Sequence, residues 1–417
     1  MLIQKKIDYL SFLILLLPAA IVVGPLISDL IVTILALFIC ASNYKKVIEY
    51  FDNYIIFKII LIFYILNSIN SLFAEHVYVS AKSAFLYIRF PLFVIASVIF
   101  LKKYPKLIVY LYYSTLITIG VVSIDAIFQF FNGKNILGFV ADSRNRISGL
   151  FLDEFILGSY LARLTPIVIS IYFFVKKGFN LKSLVAVIII SLLAIIISGE
   201  RTSLLMMIIY WVMFTIFILK ASIMNKVYLI ISLFLIVALT SLSSDNLRER
   251  YFDLSLLELN DTLNSKELAR KDDDFKDQRL KHIEVSIKMF KEKPFYGHGN
   301  KMFASACFDK YFINDGRCST HPHMILMQIL VENGLIGLLV YSILSLVLFI
   351  KFVIAVRSNN DKVSSILLLI LINFCPFLPS GGLYNNQISI FMFFPFIVYF
   401  LFEVNNKKIF YEKKILI

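Results

Sequence analysis

Charge is scarce in this chain of 417 residues. Asp, Glu, Lys and Arg together make up 17% of it, against 59% hydrophobic residues, and the mean hydropathy is +0.82. A soluble domain rarely exceeds half apolar, so an ordinary water-facing globular protein is excluded. Histidine is limited to five residues and cysteine to four. No serine-hydrolase nucleophile motif stands in the sequence. No internal repeat is visible either, which counts against the duplicated architecture of many transporters.

What fills the chain instead is apolar runs, each long enough to cross a bilayer as a helix, which takes roughly 17–25 residues. Spanning segments must be helical because lipid offers no partner for backbone N–H and C=O groups. The reading is an all-α polytopic membrane protein of about twelve transmembrane helices. They are expected near 8–24, 26–42, 54–72, 82–101, 107–131, 153–175, 181–199, 201–220, 226–243, 325–354, 362–379 and 386–404. Lys5 and Lys6 precede the first run, but no small-residue cleavage site follows, so an uncleaved first span is expected.

The formal net charge is +13, and its placement speaks against nucleic acid. The turns NYKKVIEY, LKKYPK, VKKGFNLK, LKASIMNK and KFVIAVRSNNDK and the tail NNKKIFYEKK carry Lys or Arg. The turns GPLISD, FAEHVY, SGE and PSGGLYNN carry none. Cytoplasmic loops hold the basic residues, which puts both termini inside. The loop at 132–150, with Lys134, Arg144 and Arg146, is an exception. Residues 244–323 form a long polar loop on the outer side. A loop of that length usually has structure or function of its own. The chain therefore divides into spans one to nine (1–243), a helical loop subdomain between spans nine and ten (244–323), and spans ten to twelve with a tail (324–417).

All five histidines, His76, His282, His298, His321 and His323, fall on the outer side. Cys307 and Cys318, ten residues apart in the outer loop, are placed to form a disulfide, since that compartment is oxidising. Closing so short a loop would contribute roughly 3 kcal/mol in the chain-entropy picture. Glu200 and Arg201, in SGERTSLL, stand at the outer end of a span. Arg201 is either an interfacial anchor or an anion ligand, because its fork matches phosphate oxygens. Arg89, in YIRFPLF, and Arg163, in GSYLARLTP, lie within spans and need a partner or a wet cavity. Asp125, Asp153 and Glu154 are the expected counter-charges. DQRLKHIEVSIKMFKEKP reads as an amphipathic helix with Leu280, Ile283, Ile287 and Phe290 on one face, Arg279 beside that stripe, and Pro294 at its end. Two histidines around Pro322 supply too few ligands for a metal, and no cofactor is expected. Arginines that hold a diphosphate and a histidine that takes a hydroxyl proton describe glycosyl transfer from a lipid-diphosphate sugar. Capping of the following span is the alternative for the histidine pair.

HPHMILMQILVENGLIGLL closely resembles the signature of the O-antigen ligase and polymerase superfamily, a histidine leading a span that ends in Glu-x-Gly-x-x-Gly. Here those residues are His323, Glu332, Gly334 and Gly337. Met324 stands where that family commonly has Asn. SGERT, QRLKHIEVSIKMFKEKPFYGHG and FLPSGGLYNNQ resemble further stretches, so the resemblance covers roughly residues 140–400. It implies a metal-independent, inverting glycosyltransferase. The donor would be a polysaccharide on undecaprenyl diphosphate, and the acceptor lipid A-core or another glycolipid. The site would face the periplasm from the bacterial inner membrane. Carried over by position, Arg201 and Arg279 would bind the diphosphate, His323 would activate the acceptor hydroxyl, and His321 would help. An O-antigen polymerase, extending a lipid-linked glycan, and a small-solute transporter are the rival readings.

Overall fold

The computed structural model describes residues 9–141, 146–175, 181–253, 278–311, 319–379 and 381–415, leaving aside the side chains of 278–281, 311 and 404–415. The described residues are helical almost throughout. The membrane-type helices are α1 (Leu13–Val23), α2 (Pro25–Asn53), α3 (Ile55–Ser71), α4 (Val77–Leu86), α5 (Arg89–Lys103), α6 (Leu107–Asn132), α7 (Leu157–Val175), α8 (Leu181–Ile197), α9 (Arg201–Phe217) and α10 (Ile223–Leu242). The long segment between α10 and the last helices contributes α11 (Gln278–Glu292), and α12 (Ile325–Arg357), α13 (Asp361–Asn373) and α14 (Asn386–Ile415) follow.

A helix stands at each of the twelve expected places, the fourth being split into α4 and α5. Among the described residues, seven helical segments are long and apolar enough to cross a membrane: α2, α4 continued by α5, α6, α7, α10, α12 and the first part of α14. Helices α1, α3, α8 and α9 are apolar but shorter. The molecule is thus an all-helical, multi-pass membrane protein. Helix α10 shows why water cannot be its surroundings. Its mean hydropathy is 2.1, yet none of its apolar window is buried inside the protein. An apolar helix left this exposed suits lipid rather than water.

Local chemistry sets the helix ends. Gly24 (φ 145°) breaks the chain between α1 and α2, and Pro25 opens α2 at a position that needs no N–H donor. Gly133 (φ 73°) ends α6 in the left-handed region and donates to the Gln129 carbonyl. The loop after α6 is then tied back to that helix. Asp125 Oδ1 accepts from the Ile136 amide, Gln129 Oε1 from the Gly149 amide, and Asn135 Oδ1 from the amides of Leu137 and Phe139.

One large apolar cluster joins the membrane helices, with Phe57, Phe90, Phe93, Phe394 and Phe400 fully enclosed. A second, small core belongs to the long segment that carries α11. Val285 and Met289 of α11 meet Phe303, Cys307 and Val331 there. The face of α11 that packs is not the expected one. His282, Val285, Ser286 and Met289 are buried, whereas Ile287 is 43% exposed.

The break in α12 fixes the loop to the membrane core. Gly334 (φ 62°, ψ −162°) interrupts the helix. The carbonyls of Val331 and Glu332 thereby become free to accept from the amides of His298 and Gly299, both at 2.9 Å. The amides of Leu335 and Ile336 donate to the carbonyls of Pro294 (2.8 Å) and Phe295 (3.2 Å). Segment 294–299 thus threads the gap, and four backbone groups freed by the break find partners in it. Asn70 of α3 seals the joint by donating to the carbonyls of Tyr296 (2.7 Å) and Glu332 (2.9 Å).

Candidate functional site

His321 and His323 sit in the turn that leads into α12. Met324 makes a lone antiparallel bridge with Pro379, and the Leu326 amide donates to the Pro376 carbonyl (3.1 Å). These contacts hold His323 at φ 56°. That region is costly for a residue other than glycine, and such outliers concentrate at functional sites. The His323 ring lies on the exposed side of the turn, with Nε2 3.0 Å from Ser319 Oγ. His321 Nδ1 lies 3.0 Å from Thr320 Oγ1. Its ring rests against Gly382, where an added Cβ would come 3.3 Å from Cγ.

A third imidazole joins them. The His321 and His323 ring centroids are 4.2 Å apart, and those of His282 and His323 5.6 Å. His282 is 4% exposed and presents its ring to the edge of Phe303 at 6.0 Å. The sequence placed His282 on the outer side without giving it a role. Its signal was the histidine at the buried position of α11, masked by the more apolar stripe beside it. Among the described residues, no group of three or more His, Cys, Asp and Glu is arranged to hold a metal ion.

Below the histidines lies a buried polar network. Glu332 accepts from Gln328 Nε2 (3.1 Å) and from the Phe303 amide (3.3 Å). Gln328 Oε1 accepts from the Leu383 amide (2.7 Å), which carries the network into the turn that supports His321. Asn333 donates to Asn67 and Asn300, and Tyr384 donates to Asn333 Oδ1 (2.7 Å). The Glu-x-Gly-x-x-Gly segment therefore serves as a joint and a floor under the histidine turn.

The second cluster surrounds the turn between α8 and α9. Glu200 caps α7 from outside that helix. Oε1 accepts from the Gly158 amide (2.6 Å), and Oε2 from the Ser159 amide (3.0 Å) and the Ser203 hydroxyl (2.8 Å). A carboxylate at a helix N-terminus is favoured by the orphan amides and the helix dipole. Burial pushes this carboxyl up, and the three donors pull it back toward the charged form. Arg163 is 5% exposed, donates to the Ser159 carbonyl and hydroxyl, and lies over the Phe391 ring at 5.5 Å.

Arg201 is the first residue of α9, beside Glu200. Two further arginines converge on the same turn, and neither was assigned from the sequence. Arg250 Nε donates to the Gly199 carbonyl (2.7 Å). The Arg146 guanidinium lies over the Phe155 ring at 4.4 Å. A Cβ on Gly199 would meet both side chains at 3.5 Å.

The remaining candidates lie elsewhere. Arg89 opens α5 and is bound internally: Nη2 donates to Asp29 Oδ1 (2.8 Å) and Asn386 Oδ1 (2.9 Å), and Nη1 to the Leu86 carbonyl (3.1 Å). Its counter-charge is Asp29, near the start of α2, and none of the three acids expected for it. Arg279 stands in the first turn of α11, but its side chain lies outside the described ones, as does Cys318 altogether. Cys307 is engaged in a disulfide, while Cys40 and Cys375 are free thiols. His298 is buried under the joint, with Nε2 2.8 Å from the Met289 carbonyl, and burial pushes its imidazole below the ordinary value. A mostly apolar cavity of about 630 Å³ lies between α3 and the lower part of α12, beneath Lys293–Gly297. Asn67 and Asn333 of the polar network line it, whereas the histidines and the Glu200 turn do not.

The two clusters share a support. His321 rests on Gly382, the following turn opens α14, and Phe391 of α14 carries Arg163 and thereby the Glu200 turn. Residues 186–342 match a protein-family model described as O-antigen ligase. No curated protein matches the chain.

Proposed function

We propose that this chain, whose residues 186–342 match a family model described as O-antigen ligase, transfers a polysaccharide from undecaprenyl diphosphate to lipid A-core or a comparable glycolipid. One observation carries the reading. Glu200, Arg201, Arg279, His321 and His323 all fall inside the matched stretch, whereas Arg89 and Arg163 lie outside it.

In this reading Arg201 and Arg279 hold the diphosphate by charge-assisted hydrogen bonds. They stabilise the negative charge that grows on the leaving group as the bond breaks. His323 accepts the proton of the acceptor hydroxyl. The acceptor oxygen forms its bond to the sugar's anomeric carbon as the bond from that carbon to the phosphate oxygen breaks, with inversion. The electron pair leaves on the lipid diphosphate. No metal takes part. The ring of His323 on the exposed side of its turn supports this role, because a base must reach its substrate. Glu200 serves the helix, and Arg89 and Arg163 serve internal pairing. The site faces the periplasm, the termini lie in the cytoplasm, and the spans number twelve, with residues 244–323 as the outer loop. The basic turns on one side and the Lys- and Arg-free turns on the other support that sidedness.

The test is complementation of two bacterial hosts that make a compatible lipid-linked glycan, one lacking its ligase and one its polymerase. A lipopolysaccharide ladder restored in the first host supports the ligase reading. Restored chain length in the second host alone replaces it with the polymerase reading.

A further inference from the structure

Three of the five histidines in this chain come together at one place, and only two of them belong to the histidine signature at the mouth of α12. We propose that His282 is a positioning residue for His323. It forms the wall against which the His323 ring lies, and the close set of three imidazoles holds His323 in its neutral form. The proposal rests on the reading of His323 as the base.

The geometry carries it. His282 is buried at 4% exposure, and its ring is fixed from behind by the edge of Phe303. Its centroid is 5.6 Å from that of His323, with the two planes 30° apart, and His321 covers His323 from another side at 4.2 Å. Phe303 is itself fully buried, with its amide bonded to Glu332. Ser286 closes the turn behind His282 by donating to its carbonyl at 2.6 Å. The wall is therefore held on every side, and the exposed ring of His323 takes its place from it.

The charge argument follows from distance. Like charges within a few ångströms disfavour one another, so a cluster of imidazoles gives up its protons at lower pH than an isolated one. At 5.6 Å the repulsion between two imidazolium rings amounts to about half a pH unit in water-like surroundings and about two units near a protein surface. A base must be neutral when the acceptor arrives, and the cluster makes it so under mildly acidic conditions.

The other titratable groups on the elements around His282 have set places. On α12, Glu332 is turned to Gln328 and the Phe303 amide. Lys301 precedes the short helix Met302–Ala306 and acts on Glu332. Cys307 is in a disulfide. On α11 itself, Glu284 is paired with Lys288 at 2.6 Å, and Arg279 and Lys281 have side chains outside the described ones. The 319–323 turn offers only His321 and His323.

The experiment is a nuclear magnetic resonance titration of the full chain in detergent micelles, labelled at histidine only. Five signals are assigned by single substitution. In the wild-type chain the His323 signal should titrate below the ordinary histidine value by at least about half a unit, in a curve broadened by more than one step. In His282→Phe, which keeps a flat ring, it should return toward the ordinary value, while the His76 signal stays put as a check on folding. A single-step wild-type curve at the ordinary value overturns the proposal, whether or not the variant folds. So does a His323 curve that His282→Phe leaves unmoved. His323→Ala assayed for transfer in parallel separates the two claims: an active His323→Ala protein removes the base reading even where the titration shows coupling.

Discussion

Gly297 and Gly334 occupy one crossing of two backbones, and neither position has room for a side chain. A Cβ on Gly297 would stand 2.5 Å from the Asn333 nitrogen, and one on Gly334 2.4 Å from the Phe295 carbonyl carbon. Both also lie at positive φ, 74° and 62°. The glycines of GHGN and ENGLIG are thus the two halves of a single joint. The joint sets where the long segment before it, with its buried His282, meets the helix that starts at Met324.

Gly334→Ala and Gly297→Ala should each cost about 3 kcal/mol or more, since backbone on both sides must move and a strained φ is added. The check is yield and melting temperature in detergent, with Gly138→Ala as the control. Gly138 also has a positive φ, but open space lies around it. Variants at 297 and 334 that melt no lower than the control would contradict the joint.

Glu200→Gln should destabilise the protein by about 1–2 kcal/mol, because one oxygen that accepts from an amide becomes a donor facing a donor. Any loss of transfer activity should follow the loss of stability. An unchanged melting temperature with abolished activity would assign Glu200 to the substrate instead.

Arg201→Ala should lower transfer about 10- to 100-fold, the loss of one charge-assisted hydrogen bond of about 1.5–3 kcal/mol. Arg201→Lys should recover little of it, because a point charge cannot offer the two-pronged geometry. The measurement is the initial rate against donor concentration in reconstituted membranes. Full recovery by lysine would speak for a simple surface anchor.

His298 ties stability to pH. Burial holds its folded value below the ordinary 6.5, so the unfolded chain binds the proton more readily. Stability is then complete above about 6.5 and is lost as pH falls through the lower folded value. Protection of segment 294–300 against hydrogen exchange, corrected for the intrinsic exchange rate at each pH, should fall between pH 7.5 and 5.5. His298→Gln should flatten that dependence, and an equal pH response in both proteins would assign it elsewhere.

Much of the frame was legible in the sequence because a membrane imposes long apolar runs and nothing else permits them. Ile325–Arg357 is visible at once for that reason. Its break at Gly334 is not, since one glycine fits a continuous helical pattern and only the partner loop makes it a gap. The α11 stripe misled for a related reason. Leu280, Ile283, Ile287 and Phe290 are the more apolar face, yet His282 and Ser286 are buried and Ile287 is exposed. Arg89 was correctly seen to need a partner. That partner, Asp29, stands sixty positions earlier, and only the packing of α2 on α5 brings the two together. Arg250 was hidden in the same way, because its target is a backbone carbonyl and leaves no trace in the sequence.

The most direct test of the whole account is transfer by His323→Ala, against the native protein at equal membrane abundance, in a ligase-deficient bacterium with a compatible lipid-linked glycan. The account predicts a lipopolysaccharide ladder from the native protein and none from the variant. A ladder that survives the substitution would contradict it, because the proton of the acceptor hydroxyl would then have to leave by another group.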